Sequence, residues 1–228
     1  MADIIVHVGL QKTGTTFIQE EIFRKMNKMN VRYLRDITFT NLCFPRDRKT
    51  IIANEALSGD PYSMIDNRFL IADNLKKLFP DAKIIVGHRD AKGMFKSLYS
   101  QGIRNGATSK IFIHPSYVHQ QMEYIEYIKS LFKDVFVYYY DTDLKGNKKD
   151  FVERLCDFIG EPVPDYKDKR YRISLKPYQM KAVGKINRLF YHPLFNPDGK
   201  LPEILGRATR EVINLVSNSR MQKMEVKR

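Results

Sequence analysis

The stretch "DIIVHVGLQKTGTTFIQEEIFRKM", residues 3–26, most constrains what this chain can fold into. It opens on a run of β-branched residues (Ile4, Ile5, Val6 and Val8) and turns through Gly9 and Gly14. Ile18, Ile22 and Met26 then recur every four residues. A buried strand, a glycine turn and a helix with one apolar stripe form the first half of a crossover unit, which needs a parallel partner strand and a sheet for the helix to lie on. Further runs at 50–53, 83–87 and 135–140 supply candidate strands. Helical patterns fall at 73–79, ending before Pro80, then at 90–101, 116–132 and 148–159, the last stopped by "GEPVP". The expectation is an α/β fold in three layers, with a central parallel sheet flanked by helices.

A chain of 228 residues with 43% apolar content can bury one substantial core. A single domain over 1–228 is expected, its segment from about residue 165 onward basic and helical, with a helix after Pro177 and a last one at 202–217. No apolar run approaches the ~20 residues of a membrane span, and the N-terminus enters its first strand without a basic, apolar and small-residue leader. A cytoplasmic chain is therefore expected. Cys43 and Cys156 have no metal-ligand spacing and read as two buried thiols. The net charge of +13 points to an anionic ligand, polymer or surface without choosing among them.

The first glycine turn narrows that choice. A strand leading through glycines into a helix gathers backbone N–H groups and the positive helix pole, a ready anion site. In the nucleotide loop GxxxxGK[ST], a lysine follows the second glycine. Here Gly9 and Gly14 have that spacing and Thr16 occupies the hydroxyl position, but Thr15 stands where lysine belongs and the lysine is Lys12. The turn is P-loop-like with its cation moved three residues early. Such a lysine suits a ligand with a shorter and less charged anion chain, where it covers the bridging oxygen on which charge develops.

The string "QKTGTT" resembles the 5′ loop of the sulfotransferases that use 3′-phosphoadenosine 5′-phosphosulfate, with bacterial and carbohydrate members the nearest in pattern. The resemblance implies that Lys12, Thr13, Gly14, Thr15 and Thr16 hold the 5′ phosphosulfate. It extends to "IIVGHRDAKGMFKSLYSQ", where Arg89 ends a strand and Ser97 comes eight residues later, the pair that grips the cofactor's 3′ phosphate in that family. Ala91 replaces the family's usual proline, which loses some rigidity and no phosphate contact. Two further segments are more softly alike: "VFVYYYDTDLKGNKKDFVERLCDFIGEP", and "RISLKP", whose Arg172, Ser174 and Lys176 are candidates on a cofactor-closing loop. The implied activity is sulfuryl transfer to a hydroxyl or amino group of an acceptor, a carbohydrate first, with no metal, no nucleic acid and no membrane span.

For the base, Glu55 lies just past a strand in "ANEALSG", a stretch similar to one in carbohydrate sulfotransferases with glutamate bases, and is the first choice. His114 and His119 are alternatives near the acceptor loops, whereas His7 and His88, on strands, read as core histidines. Tyr62, Arg68, Arg104 and Asn105 lie in the loops expected to meet the acceptor. Two other readings stay open. One is a nucleotide-dependent kinase with Asp141 on magnesium, opposed by Thr15 at the lysine position. The other is a basic module for polyanions built on Lys167, Lys169, Arg170, Arg172, Lys176, Lys181, Lys185 and Arg188.

Overall fold

The computed structural model describes residues 3–27, 31–35, 48–107, 111–169, 171 and 174–190. Five strands form one sheet: β1 (Ile4–His7), β2 (Arg32–Leu34), β3 (Thr50–Ala53), β4 (Lys83–His88) and β5 (Val135–Tyr139). Their order is β2-β3-β1-β4-β5 and every pairing is parallel. The helices are α1 over 15–26, α2 (Arg68–Leu78), α3 (Ala91–Arg104), α4 (Pro115–His119), α5 (Gln121–Leu131), α6 (Lys148–Ile159) and α7 (Pro177–Phe190). The expected α/β architecture is the observed one.

Because side chains alternate along a strand, the sheet buries two different faces. Ile5, Ile51, Ala53, Ile85 and Tyr138 pack with Ile18, Ile22, Phe23 and Met26 of α1 and with Phe151, Leu155 and Ile159 of α6. Val6, Ile52, Ile84 and Val86 are buried on the opposite parity, and α5 lies against β4 and β5. Each fully buried aliphatic side chain contributes about 1.5–3 kcal/mol, so the central strands anchor everything built at their ends. Lys49, just before β3, closes the end of α6: its ammonium donates to the carbonyls of Ile159 and Gly160, 2.9 Å each, and to Glu161 at 2.7 Å.

Several expectations move. α1 carries a π segment, Ile18–Phe23, between α turns at Thr15–Phe17 and Arg24–Met26. α2 begins five residues before the expected 73, at Arg68. The helix expected over 116–132 is two, because Gln120 leaves helical geometry at φ −101°, ψ 35°. β2 was not expected at all. The expected helix at 202–217 and Cys43 lie outside the described residues, whereas Cys156 is buried, which pushes its thiol pKa up to about 12. Among the described residues, no helix is long and apolar enough to cross a membrane.

The chain divides into two compact units, Met1–Leu98 with Ile113–Ile173, and Tyr99–Phe112 with Ser174–Arg228. The first holds the sheet. In the second, Ile103, Leu175 and Val183 form a small core with Tyr99, Ile111 and Met180, and Asn187 donates to the carbonyls of Ile103 and Ala107, 2.8 Å each.

Candidate active site

The turn after β1 is an unusual piece of backbone. Gly14 is left-handed at φ 86°, and Lys12, at φ 69°, is the one non-glycine residue with positive φ among the described residues. A left-handed lysine costs on the order of 1 kcal/mol, and such a conformation persists only where its surroundings impose it. They do so here: the Arg89 guanidinium donates from Nη1 to the Lys12 carbonyl at 2.8 Å. Beneath the turn, Thr13 is fully buried, donates to the Leu10 carbonyl at 2.6 Å and lies 3.1 Å from the Tyr138 hydroxyl. Gly87 makes room for that contact, since a Cβ there would sit 2.5 Å from Tyr138 Cζ and 2.6 Å from Thr13 Oγ1.

Gly14 stands at the N-cap of α1 and provides no side-chain hydrogen bond. A helix start leaves its first N–H groups without intrahelical partners. With left-handed residues at 12 and 14, the backbone is of the kind from which anion nests are made. A methyl at Gly14 would be strained by the positive φ and would also have to displace Leu144 Cδ1, which would lie 2.5 Å from the added Cβ.

Glu55 reaches this turn from the neighbouring strand. β1 and β3 run parallel with His7 opposite Ala53, so the residues after both strands emerge at one edge. Asn54, not Glu55, caps the 3-10 turn Glu55–Ser58, accepting from the Ala56 N–H at 2.8 Å. The Glu55 carboxylate instead accepts the Thr15 hydroxyl proton. Ser58, fully buried, donates toward the Gly9 and Glu55 carbonyls at 2.9 Å each and lies 3.1 Å from the Tyr117 hydroxyl. That hydroxyl also accepts from the Gln11 N–H at 3.1 Å.

Arg89 comes directly after β4 on the other side of β1. Its backbone is fixed by Gln121, whose amide oxygen accepts from Arg89 N at 3.1 Å and whose Nε2 donates to Arg89 O at 2.9 Å. The guanidinium lies 4.3 Å from the Tyr140 ring centroid and keeps a buried Nε–H without a protein acceptor. Asp90 then caps α3, accepting from Gly93 N at 2.7 Å. Ser97, two turns into α3, is 9% exposed. Residues 12–16, 55 and 89, far apart in sequence, are thus joined by direct hydrogen bonds at the carboxyl ends of the three central strands.

Other expected residues lie elsewhere. Arg172 is outside the described residues, and Ser174 is exposed on the second unit, as are Lys176, Lys181, Lys185 and Arg188. Arg104 and Asn105 also belong to the second unit. His7 is 1% exposed, packs edge-on against Phe23, and burial lowers its pKa to about 3, so it is neutral. His88 is half-buried; burial lowers its pKa against the opposing pull of Asp141 and Asp90. His119 is exposed, and His114 Nδ1 lies 2.6 Å from the Ser116 hydroxyl. Asp141, just after β5, pairs with Lys145 at 2.6 Å and accepts from the Asp90 N–H.

Arg68 corrects an expectation. It is 0% exposed and offers nothing to an acceptor in solution. Its Nε and Nη2 donate to Asp66 at 2.8 and 2.6 Å, and its guanidinium faces the Tyr117 and Tyr124 rings at 5.0 and 5.4 Å. Those bonds hold the Asp66 carboxyl far below the usual range, with Ser116 adding a third. Tyr62 likewise uses its hydroxyl internally, donating to the Leu98 carbonyl at 2.8 Å. Tyr117 and Ser58 were not anticipated as site residues.

No protein-family model matches the sequence, and no curated protein sequence matches it. Among solved structures, a sulfotransferase from Alicyclobacillus acidocaldarius matches over 86% of this chain and 96% of its own, at 14% identity and a TM-score of 0.53. The chain has a sulfotransferase-type fold. At this identity the likeness establishes the architecture and not the chemistry.

Proposed function

We propose that this protein is a sulfotransferase that moves a sulfuryl group from 3′-phosphoadenosine 5′-phosphosulfate to a hydroxyl or amino group of an acceptor, in the first place a carbohydrate. The observation that carries the reading is the convergence of the left-handed Lys12 turn, the Thr15–Glu55 contact and the Arg89–Lys12 carbonyl bond at one edge of the sheet. The residues fit such a donor. The glycine-capped helix start suits an anion chain, with Thr16 half-buried in its first turn, and the Arg89 guanidinium beside it keeps a buried Nε–H with no protein acceptor.

When bound, the donor supplies an electrophilic sulfur whose bond to the bridging phosphate oxygen breaks as the acceptor bond forms. Lys12 would stabilise the charge that grows on that oxygen, an interaction stronger in the transition state than before it. Glu55 would take the acceptor's proton, held at the loop by its contact with Thr15. Arg89, with Ser97 on the next helix, would grip the 3′ phosphate and so favour this nucleotide over ATP. No role for a metal is assigned, because the loop supplies the compensating charge.

Titration calorimetry tests the reading directly. Adenosine 3′,5′-bisphosphate is expected to bind at least tenfold more tightly than ATP with magnesium. The reverse order would point to a kinase and overturn the proposal.

A further inference from the structure

Tyr117 and Ser58 occupy a place that the reaction as described does not use. Both are buried, at 2% and 0% exposure, and they lie 59 residues apart in sequence. Their hydroxyls stand between the anion turn and the turn that carries Glu55. The direction of every hydrogen bond in this group is set by counting protons. The Gln11 amide only donates, so the Tyr117 oxygen accepts from it. The Gly9 and Glu55 carbonyls only accept, so the single Ser58 proton is directed to them and shared between the two. The remaining contact, 3.1 Å between the two hydroxyls, must then be Tyr117 donating to Ser58. The chain runs one way: Gln11 N–H to Tyr117 O–H to Ser58 O–H to the carbonyls of Gly9 and Glu55. Burial supports the donor role of the phenol, pushing its pKa up to about 12 so that it keeps its proton at working pH.

We infer that Tyr117 and Ser58 are positioning residues that lock the 9–11 limb of the anion turn and the Glu55 turn into one unit, so that the anion site and the base keep a fixed spacing. This rests on the sulfuryl-transfer reading for its effect on turnover, and on the hydrogen-bond relay alone for its effect on the loop. Arg89 performs the matching task on the other limb, at the Lys12 carbonyl.

The test is Tyr117→Phe, which keeps the ring that faces Arg68 and removes the hydroxyl, with Ser58→Ala as the second variant. In the ligand-free protein, hydrogen exchange at the Gln11 amide is expected to speed up at least tenfold in both variants, although Ser58 does not touch Gln11. In turnover, kcat is expected to fall at least tenfold with KM for the donor changed less than threefold. In a Glu55→Gln background, Tyr117→Phe should add no further loss of kcat. Unchanged Gln11 exchange in Ser58→Ala, or a full further loss of kcat in the Glu55→Gln background, would overturn the inference. A wild-type protein that turns over no sulfate donor would overturn the sulfuryl-transfer reading instead, and the exchange measurement then decides the relay by itself.

Discussion

Two strand-to-helix junctions lie side by side at the same edge of the sheet, after β1 and after β4, and they treat their helix starts in opposite ways. At α3 the chain closes the end itself: the Asp90 carboxylate accepts from Gly93, placing a negative charge on the positive pole. At α1 the cap position is Gly14, which has no side chain to offer. The first junction also adopts costly backbone at Lys12, whereas the second has no left-handed residue. A fold gains nothing in stability from an uncapped helix behind a strained turn. Under the proposed function, an anion at the open junction would supply the negative charge that Asp90 supplies at the capped one, with Arg89 on its flank.

The contrast can be broken most sharply at Lys12. Lys12→Gly removes the cation and relieves the left-handed strain together, so turnover should fall at least 100-fold while thermal stability stays level or rises by up to about 1 kcal/mol. A variant that keeps its turnover would remove the catalytic meaning of the turn. Gly14→Ala should act the other way. Positive φ and the approach to Leu144 make it destabilising by about 2 kcal/mol, read as a lower midpoint in urea. Smallest is Asp90→Ala, which opens the capped junction. It should cost about 1 kcal/mol of stability and leave bisphosphate affinity within threefold. A large loss of affinity there would mean that both junctions hold the ligand.

Much of this was legible in the sequence, and for local reasons. β-branched runs bounded by glycine and charge marked four of the five strands, because burial on both faces of a parallel sheet demands unbroken apolar stretches. β2 escaped because an edge strand of three half-buried residues, Arg32, Tyr33 and Leu34, carries no such run. The glycine turn and the position of Glu55 after β3 stood out because glycine spacing and strand ends are short-range signals. What failed was long-range. Arg68 reads as a loop arginine until Asp66, Tyr117 and Tyr124 close around it, and the Tyr117–Ser58 relay joins residues 59 positions apart that no spacing rule connects.

The π segment in α1 has an evolutionary corollary. A π turn accommodates one residue more than the α-helix around it, which is how a helix absorbs a single inserted codon without unravelling. Here the wide turn lies between Ile18 and Phe23, one turn past the glycine turn, so an extra residue held there would leave the glycine turn unaltered and rotate only the later part of the helix. Alignment of this chain with homologues that lack the extra residue should place the gap within that helix, at a position where gaps are ordinarily penalised.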